Sequence, residues 1–312
     1  MSTARIQLKT TLEERLGAEV FENAALAAHT SFHIGGPAAL LARATRIEEL
    51  TAALETASRA GIPVLVLGGG TNLLVSDAGF DGLALRVEIG GVEVSEGGRR
   101  VTAGAGVATA TVVERSIAAG LAGLEFAAGL PGTIGGAIGG NAGCFGAAIG
   151  DRLASATLVT REGEVIEVGD PGWFAFAYRS SRLARTGAVI ARAAFAVEPG
   201  DRARLEEISA KNRGVRREKH PALGARTAGS YFKNLPPESP GGPRRAAGAL
   251  LDQVGAKAMR VGDAAVFERH ANIIVNEGNA TARDVLALAG KMRAAVKDRF
   301  GEELEPEVRF VG

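Results

Sequence analysis

The sequence predicts an α+β protein of two domains, and three observations support this prediction. The first two-thirds of the 312 residues alternate short apolar runs of strand length with stretches of helical periodicity. After Pro199 the chain changes to a charged helical pattern, which is typical of a connection into another domain. A chain of this length fits about two domains of ordinary size, so we predict domains at residues 1–200 and 201–312.

The first domain begins with a short helical pattern and continues with strands separated by glycine-rich turns. The apolar run 62–67 stops at Gly68, the first of three glycines, and predicts a buried strand that leads into a glycine turn. Two strand patterns flank an Arg-Glu-Gly sequence and predict a hairpin. The predicted helices are 10–18, 47–60 and 108–119, and the predicted strands are 62–67, 82–88, 91–96, 99–104, 154–160, 164–168 and 188–197.

The second domain ends in a long helix that the sequence marks clearly. Thr281 and Asp284 have the spacing of a capping box, and apolar residues from Val285 to Phe300 recur on one stripe. The domain is therefore predicted as a second, smaller α+β unit. Its predicted elements are helix 201–219, loop 221–245, helix 246–254, strand 271–276, helix 281–300 and a strand-like tail at 304–311.

Composition excludes several classes of protein. The net charge of +1 does not provide the basic surface that nucleic-acid and polybasic membrane binders need. A single cysteine, Cys144, allows neither an intramolecular disulfide nor a cysteine zinc cluster, and the first thirty residues lack the apolar core of a signal peptide. The uncharged stretch 126–150 has GxxxG spacings, but nine glycines in 25 residues disfavour a membrane helix. We therefore predict a cytoplasmic protein without nucleic-acid or membrane partners.

Two glycine-dense loops, 68–72 and 129–143, are the first candidates for a ligand site. Neither follows the Rossmann or P-loop pattern, but each can turn main-chain N–H groups toward an anion such as a pyrophosphate. Close approach to such a group requires residues without a Cβ atom. Taken singly, each loop fits equally well as a set of tight turns in a strand-rich domain.

Further sequence blocks, taken together, identify a family. They are Val66-Leu-Gly-Gly-Gly-Thr-Asn-Leu-Leu-Val75, Gly123 to Ala137 with Asn141-Ala-Gly143, Thr30-Ser-Phe-His-Ile-Gly-Gly36, Tyr178-Arg-Ser-Ser181, Gly229-Ser-Tyr-Phe-Lys-Asn234, His270-Ala-Asn-Ile-Ile-Val-Asn276 and Leu304-Glu-Pro-Glu-Val-Arg309. In their order along the chain they resemble the UDP-N-acetylenolpyruvoylglucosamine reductase family of peptidoglycan precursor synthesis. The two glycine loops resemble the FAD-binding domain of the vanillyl-alcohol oxidase type. The only tyrosines are Tyr178 and Tyr231, so the chain resembles the shorter branch, which lacks a tyrosine loop.

The resemblance implies the fold, the cofactor and the reaction. It implies a two-subdomain FAD-binding domain followed by an α+β substrate-binding domain whose C-terminal strand returns to the active site. It also implies NADPH as the co-substrate and a UDP-sugar as the substrate. Cys144 lies in a glycine loop without an obvious base, so we expect FAD to be bound non-covalently. The cofactor-binding positions implied are Gly68, Gly69, Gly70, Thr71, Asn72, Pro131, Gly132, Gly135, Gly136, Asn141 and Gly143.

The reaction that the resemblance implies is the reduction of an enolpyruvyl ether. Hydride is delivered to the terminal carbon, and negative charge builds on the carboxylate as an enediolate. The neighbouring carbon is then protonated. By resemblance Ser230 donates that proton, and Arg179 and Glu307 stabilise the enediolate. Glu307 contributes only if it carries or relays a proton, which requires a raised pKa. Taken alone, each of the three fits an ordinary loop or surface residue. The implied substrate-binding residues are Lys219, Lys233, Asn234 and Lys257.

Two other functions remain as alternatives. A flavin oxidase or dehydrogenase of the same fold, acting on a sugar lactone or hydroxy acid, would keep the glycine loops but needs no Gly-Ser-x-Phe-Lys-Asn block. A non-catalytic nucleotide-binding module would be expected to lack Arg179, Ser230 or Glu307, and all three are present. The resemblance favours the activity of an FAD-dependent UDP-N-acetylmuramate dehydrogenase, and we expect the protein to be a monomer.

Overall fold

A computed structural model of the chain describes residues 3–95, 97–222 and 224–312. Residue 96, at the end of one predicted strand, and residue 223, in the predicted loop 221–245, lie outside this set. The chain forms two compact units. The first unit comprises the residues up to Ala24 together with Ala38–Gly69 and Asp81–Val215, and the second comprises Ala25–Pro37, Gly70–Phe80 and Arg216–Gly312. These units are not identical to the proposed domains 1–200 and 201–312, whose boundary stays a prediction.

The described helices and strands are numbered in chain order. Helices α1 to α8 are Thr3–Leu16, Ile47–Arg59, Thr109–Ala118, Ile134–Gly139, Leu183–Thr186, Arg202–Lys219, Ala247–Gln253 and Ala282–Phe300. Strands β1 to β9 are Phe21–Ala25, Pro37–Ala44, Val64–Leu67, Leu73–Val75, Phe80–Val87, Val92–Val94, Arg100–Gly104, Leu121–Ala122 and Gly143–Cys144. Strands β10 to β18 are Ala147–Ala148, Leu153–Val159, Val165–Val168, Val189–Ala196, Glu198–Pro199, Arg260–Val261, Ala264–Val266, Ile274–Asn276 and Arg309–Val311. None of these described helices is long and apolar enough to cross a bilayer.

The first unit is built around an antiparallel sheet with the strand order β12-β11-β13-β7-β6. The hairpin predicted around Arg-Glu-Gly is its β11–β12 pair. In a further sheet, of order β1-β2-β5-β3, the apolar strand β3 pairs in parallel with β5. Fully buried side chains such as Leu50, Leu83, Leu158 and Phe195 form part of one continuous core. Mixed helix and sheet content agrees with the predicted α+β class.

Helix α4 lies within residues 129–143, which their many glycines predict to be a loop. The N–H groups of Ile134 and Gly135 donate to the carbonyls of Val107 and Ala105, both at 2.9 Å. A Cβ atom on Gly135 would lie 3.1 Å from the Ala105 Cβ, so the glycine permits this close packing. Tertiary contact therefore outweighs the low helix propensity of glycine here.

The second unit is assembled from three separate stretches of chain. Strands β15, β16 and β17 form an antiparallel sheet, and β18 pairs in parallel with β4. Phe32, Phe232, Leu288 and Met292 lie in its core with essentially no exposed surface. Tyr231 and Val308, the neighbours of Ser230 and Glu307, belong to the same core, so it fixes the segments that carry these two candidate residues.

The N-terminus of α8 has two sets of caps. Thr281 and Asp284 form the predicted capping box. The carboxylate of Asp77 additionally accepts the N–H groups of Ala282 at 2.8 Å and Arg283 at 3.2 Å. Four otherwise unpaired donors would be left at a bare helix start, and a carboxylate there is favoured by the helix dipole. The turn between β4 and β5, which contains Asp77, is thereby attached to the long helix.

Candidate active site

Ser230 lies on an extended segment of the second unit, residues 229–234, which we call the serine segment. On one side of it, the Tyr231 N–H donates to the Asn272 carbonyl at 2.8 Å. On the other side, the Tyr231 carbonyl accepts the N–H of Glu307 at 2.7 Å. Main-chain hydrogen bonds therefore hold the serine segment against the segment that carries Glu307.

The segment with Glu307 also contacts Asn72, which the sequence predicted as a flavin-binding residue. Asn72 Nδ2 donates to the Glu307 carbonyl at 3.1 Å, and the Asn72 carbonyl accepts the Arg309 N–H at 3.0 Å. Ser230 and Glu307 are both half-buried. The second unit therefore brings two of the predicted catalytic residues to neighbouring segments, next to one predicted cofactor residue.

Lys233 and Asn234 continue the serine segment and are fixed by local partners. Lys233 Nζ forms an ion pair with Glu305 at 2.5 Å. Asn234 Oδ1 accepts the N–H of Ala247, the first residue of α7, at 3.3 Å. The Asn234 side chain therefore joins the serine segment to the start of a helix.

Lys219 and Lys257 lie far apart in the sequence, but both lie within electrostatic range of His270. Lys219 ends α6 and Lys257 lies in the turn after α7, and both are exposed. Lys257 pairs with Asp252 at 2.8 Å. Burial lowers the pKa of His270, and the charges of both lysines lower it further. The second unit therefore places two predicted substrate-binding cations within electrostatic range of the same imidazole.

His220 and His270 form a ring pair that the sequence analysis did not predict. Their ring centroids are 5.5 Å apart, with the planes tilted by 41°. Burial lowers the pKa of His220 to about 4, and the charges of Arg216, His270 and Lys219 act in the same direction. Fifty residues separate the two histidines, so no local pattern could have revealed the pair. At neutral pH the pair is uncharged, and the positive charge around it comes from lysine and arginine.

Acidification should destabilise the protein through His220. Between pH 6.5 and about 4 the unfolded chain takes up a proton that the folded state refuses, so stability falls as pH falls through this window. Because His220 is only half-buried, solvent screening keeps the loss of stability well below the roughly 3 kcal/mol that the full shift would give. We expect His220→Gln to flatten the curve of unfolding free energy against pH between pH 7 and 4, measured by urea denaturation. Parallel curves for the variant and the wild type would contradict the assignment.

Arg179, the remaining predicted catalytic residue, lies in a tight turn of the first unit. Its φ is +54°, a left-handed conformation that is rare for a residue with a Cβ and costs about 1 kcal/mol or more. The turn is closed by paired hydrogen bonds between Ala177 and Ser180. Arg179 Nη2 donates to the Gly143 carbonyl at 3.0 Å, and its guanidinium lies 5.1 Å from the Tyr178 ring centroid. These contacts fix the direction of the side chain.

Asn141 connects the arginine turn to the second glycine loop. Its Nδ2 donates to the Ala177 carbonyl at 3.0 Å, and its Oδ1 accepts the Gly150 N–H at 3.1 Å. The residue is only 8% exposed and also has a positive φ. The first unit thus brings Arg179 together with Asn141 and Gly143, two predicted cofactor residues.

The glycines of the two loops differ in whether the surrounding structure leaves space for a Cβ atom. A Cβ on Gly68 would overlap the Thr133 hydroxyl, so the turn after β3 and the start of α4 approach each other closely. Gly70 has a φ of +63°, and a Cβ there would overlap the His29 carbonyl. At Gly136 the nearest atom would be the Thr133 hydroxyl at 3.7 Å, which leaves ordinary space. The first two positions therefore exclude a side chain for structural reasons.

The predicted cofactor residues divide between the two units. The first unit contains Gly68, Gly69, Pro131, Gly132, Gly135, Gly136, Asn141 and Gly143, and the second contains Gly70, Thr71 and Asn72. Gly69, Pro131, Gly136 and Asn72 are exposed. Main chain without covering side chains along both loops suits an anionic cofactor held by N–H groups.

Two family models match the chain. Residues 38–169 match an FAD binding domain, and residues 220–311 match the C-terminal domain of UDP-N-acetylenolpyruvoylglucosamine reductase. Together they confirm the predicted fold class, in which an α+β FAD-binding domain of the vanillyl-alcohol oxidase type precedes a second α+β domain. The second match covers the segments of Ser230, Asn234, Lys257 and Glu307.

Named relatives match over nearly the whole chain. UDP-N-acetylenolpyruvoylglucosamine reductase 2 of Symbiobacterium thermophilum is 42% identical over 91% of this chain and 89% of its own length. The reductase of an Anaeromyxobacter species is 42% identical over 97% of this chain and 92% of its own. The crystal structure of the reductase (MurB) from Thermus caldophilus aligns with a TM-score of 0.78 and 30% identity, covering 94% of this chain and 98% of that one. The chain belongs to the UDP-N-acetylenolpyruvoylglucosamine reductase family.

Proposed function

We propose that this protein is an FAD-dependent UDP-N-acetylmuramate dehydrogenase of peptidoglycan precursor synthesis. It reduces UDP-N-acetylglucosamine enolpyruvate to UDP-N-acetylmuramate at the expense of NADPH. The observation that carries the proposal is the hydrogen-bonded pairing of the serine segment with the segment of Glu307. Full-length relatives named for this reaction support it.

Ser230 is the proton donor in this proposal. When bound, reduced FAD supplies the hydride to the terminal carbon of the enolpyruvyl group. The electron pair of the carbon–carbon double bond then resides on the carboxylate side as an enediolate, and the neighbouring carbon requires one proton. Ser230 is half-buried and main-chain bonds hold its segment on both sides, so its hydroxyl is available in a fixed position.

Arg179 stabilises the charge that develops on the substrate carboxylate, and Glu307 assists it by carrying or relaying a proton, because an ionised carboxylate would repel that charge. A guanidinium presents a planar fork of donors that matches a carboxylate, and Arg179 is already oriented by its bond to Gly143. The main chain of Glu307 is fixed by Tyr231 and Asn72. Preorganised groups of this kind need not rearrange as the charge appears.

The glycine loops hold FAD without a covalent link. The proposed contacts are main-chain N–H groups of the loop that contains Gly68, Gly69, Gly70, Thr71 and Asn72 and of the loop that contains Pro131, Gly132, Gly135, Gly136, Asn141 and Gly143. Gly69 and Gly136 support this, because both are exposed and carry no side chain that would cover their main chain. The Cys144 thiol donates a hydrogen bond to the Phe126 carbonyl at 2.8 Å. This contact argues against a thioether link between Cys144 and the cofactor.

Lys219, Lys233, Asn234 and Lys257 bind the UDP-sugar, with the lysines matching the charge of its diphosphate. Lys219 and Lys257 both lie close enough to His270 for their charges to lower its pKa. This supports their action on one group of the ligand. We further propose that the protein is cytoplasmic and monomeric and has no nucleic-acid or membrane partner, in keeping with its net charge of +1.

A kinetic assay tests the function directly. The purified protein is expected to be yellow, to release FAD into the supernatant on acid precipitation, and to oxidise NADPH only when the enolpyruvyl substrate is present. UDP-N-acetylglucosamine, which lacks the enolpyruvyl group, is the control and should support no oxidation. Because both ligands use one flavin in turn, initial-velocity lines should be parallel. Intersecting lines would contradict this order of events. Oxygen consumption with a sugar lactone or hydroxy acid would instead indicate a flavin oxidase. A colourless protein would indicate a non-catalytic nucleotide-binding module.

A further inference from the structure

Asn272 contacts the serine segment through both its side chain and its main chain. The Phe232 N–H donates to Asn272 Oδ1 at 2.9 Å, and Asn272 Nδ2 donates to the Phe232 carbonyl at 2.8 Å. The Asn272 carbonyl also accepts the Tyr231 N–H at 2.8 Å. One residue therefore pairs with both peptide groups of Phe232 in the way that a neighbouring strand would.

On this edge, the described part of the chain holds the serine segment mainly through these bonds. Gly229, directly before Ser230, has a φ of +76°, so the chain enters the segment through a residue with wide conformational freedom. Beyond it, Ser230 makes only an isolated bridge, with Ile273, rather than part of a longer ladder. Asn272 is 2% exposed, so water cannot replace its amide.

We propose that Asn272 is a positioning residue that holds the Ser230 hydroxyl at the carbon it protonates, acting through the peptide groups of Phe232. This inference rests on the proposed role of Ser230. An amide is the side chain that fits, because it offers one acceptor and one donor at the spacing of a peptide group. A carboxylate of the same shape keeps the acceptor for the Phe232 N–H but turns the donor to the Phe232 carbonyl into a second acceptor.

The test measures the two half-reactions of Asn272→Asp separately by stopped-flow absorbance of the flavin. We expect flavin reduction by NADPH to proceed at the wild-type rate. Reoxidation by the enolpyruvyl substrate should slow by roughly 10- to 100-fold, because small misplacements of a reacting group have effects of this size. Asn272→Ser serves if the aspartate variant does not fold. Its single short hydroxyl cannot pair with both peptide groups of Phe232, so it should show the same separation of half-reactions.

Asn276→Asp is the matched control. Asn276 is also a buried amide of the second unit, 6% exposed, whose Oδ1 accepts the N–H groups of Gly278 and Ala280, both at 3.0 Å. Its Nδ2 donates to the Phe32 carbonyl at 3.1 Å, away from the serine segment. The control should lose thermal stability to a similar extent without selective loss of reoxidation. If both variants slow reoxidation equally, the effect of Asn272 is one of general stability and the proposal is overturned.

A double-mutant cycle identifies the route of the effect. If Asn272 acts through Ser230, Asn272→Asp should not slow reoxidation further in a Ser230→Ala background. The same factor of slowing in both backgrounds would overturn the positioning role. Wild-type reoxidation in Ser230→Ala alone would instead overturn the proposed function of Ser230, so the two failures are distinguishable.

Discussion

Ser230→Ala should bind FAD and accept hydride from NADPH at close to the wild-type rate, yet fail in the second half of the reaction. The hydroxyl is needed only after hydride reaches the enolpyruvyl group, when the enediolate must be protonated. A positioned general acid contributes roughly 10² to 10⁴ in rate, so reoxidation of the reduced flavin by substrate should slow by at least this factor. Stopped-flow absorbance of the flavin measures both halves on one sample.

Ser58→Ala provides the control for loss of a hydroxyl. Ser58 is exposed near the end of α2 in the first unit, and its substitution should leave both half-reactions unchanged. If Ser230→Ala retained the wild-type rate of reoxidation, Ser230 could not be the proton donor. If it lost flavin reduction as well, the serine would be needed for the site as a whole rather than for proton transfer.

Gly70→Ala is expected to give an unstable protein that does not retain FAD. Gly70 is buried, has a φ of +63°, and lies so close to the main chain of His29 that a Cβ would overlap the carbonyl oxygen. Neither obstacle can be relieved by turning a side chain. Left-handed strain and overpacking together are expected to cost at least about 3 kcal/mol. Thermal unfolding and the ratio of flavin to protein absorbance measure the two effects.

Gly61→Ala separates the two causes. Gly61 has nearly the same φ, +64°, but no atom lies within 4 Å of the position that a Cβ would take. It should therefore show the conformational cost alone, about 1 kcal/mol, and retain FAD. Equal stability and equal flavin content in the two variants would show that contact with His29 does not restrict the loop.

The parts of the fold that sequence reasoning predicted best are those with local causes. Helix α8 was predicted to within a residue because its capping box and apolar stripe depend on neighbours along the chain. By contrast, α4 was not predicted, since its glycines form a helix only because Ala105 and Val107 offer carbonyls to it. Strand β2 was also missed, because Ala and Leu favour helices and its apolar residues do not alternate with polar ones, although Gly35, Gly36 and Pro37 mark its start.

The candidate site shows the same division. Ser230, Arg179 and Glu307 were identified through blocks of sequence, and the structure describes each on a fixed segment. The contact of the Arg179 side chain with Gly143 and the contacts of Asn272 were not predictable, since both join residues that are far apart in the sequence. Long-range partners of this kind leave no periodic signal in a single chain.

The pairing of β18 with β4 has a consequence for how the protein is made. Residues 73–75 leave the ribosome more than 230 residues before their partners at 309–311, and until then β4 lacks this neighbouring strand. The first unit, by contrast, needs nothing beyond Val215. During translation the earlier unit can therefore form while the segments 25–37 and 70–80 still await the rest of theirs. In the nascent chain these segments therefore expose apolar residues such as Phe32 and Leu74 until the residues after Val215 have been made.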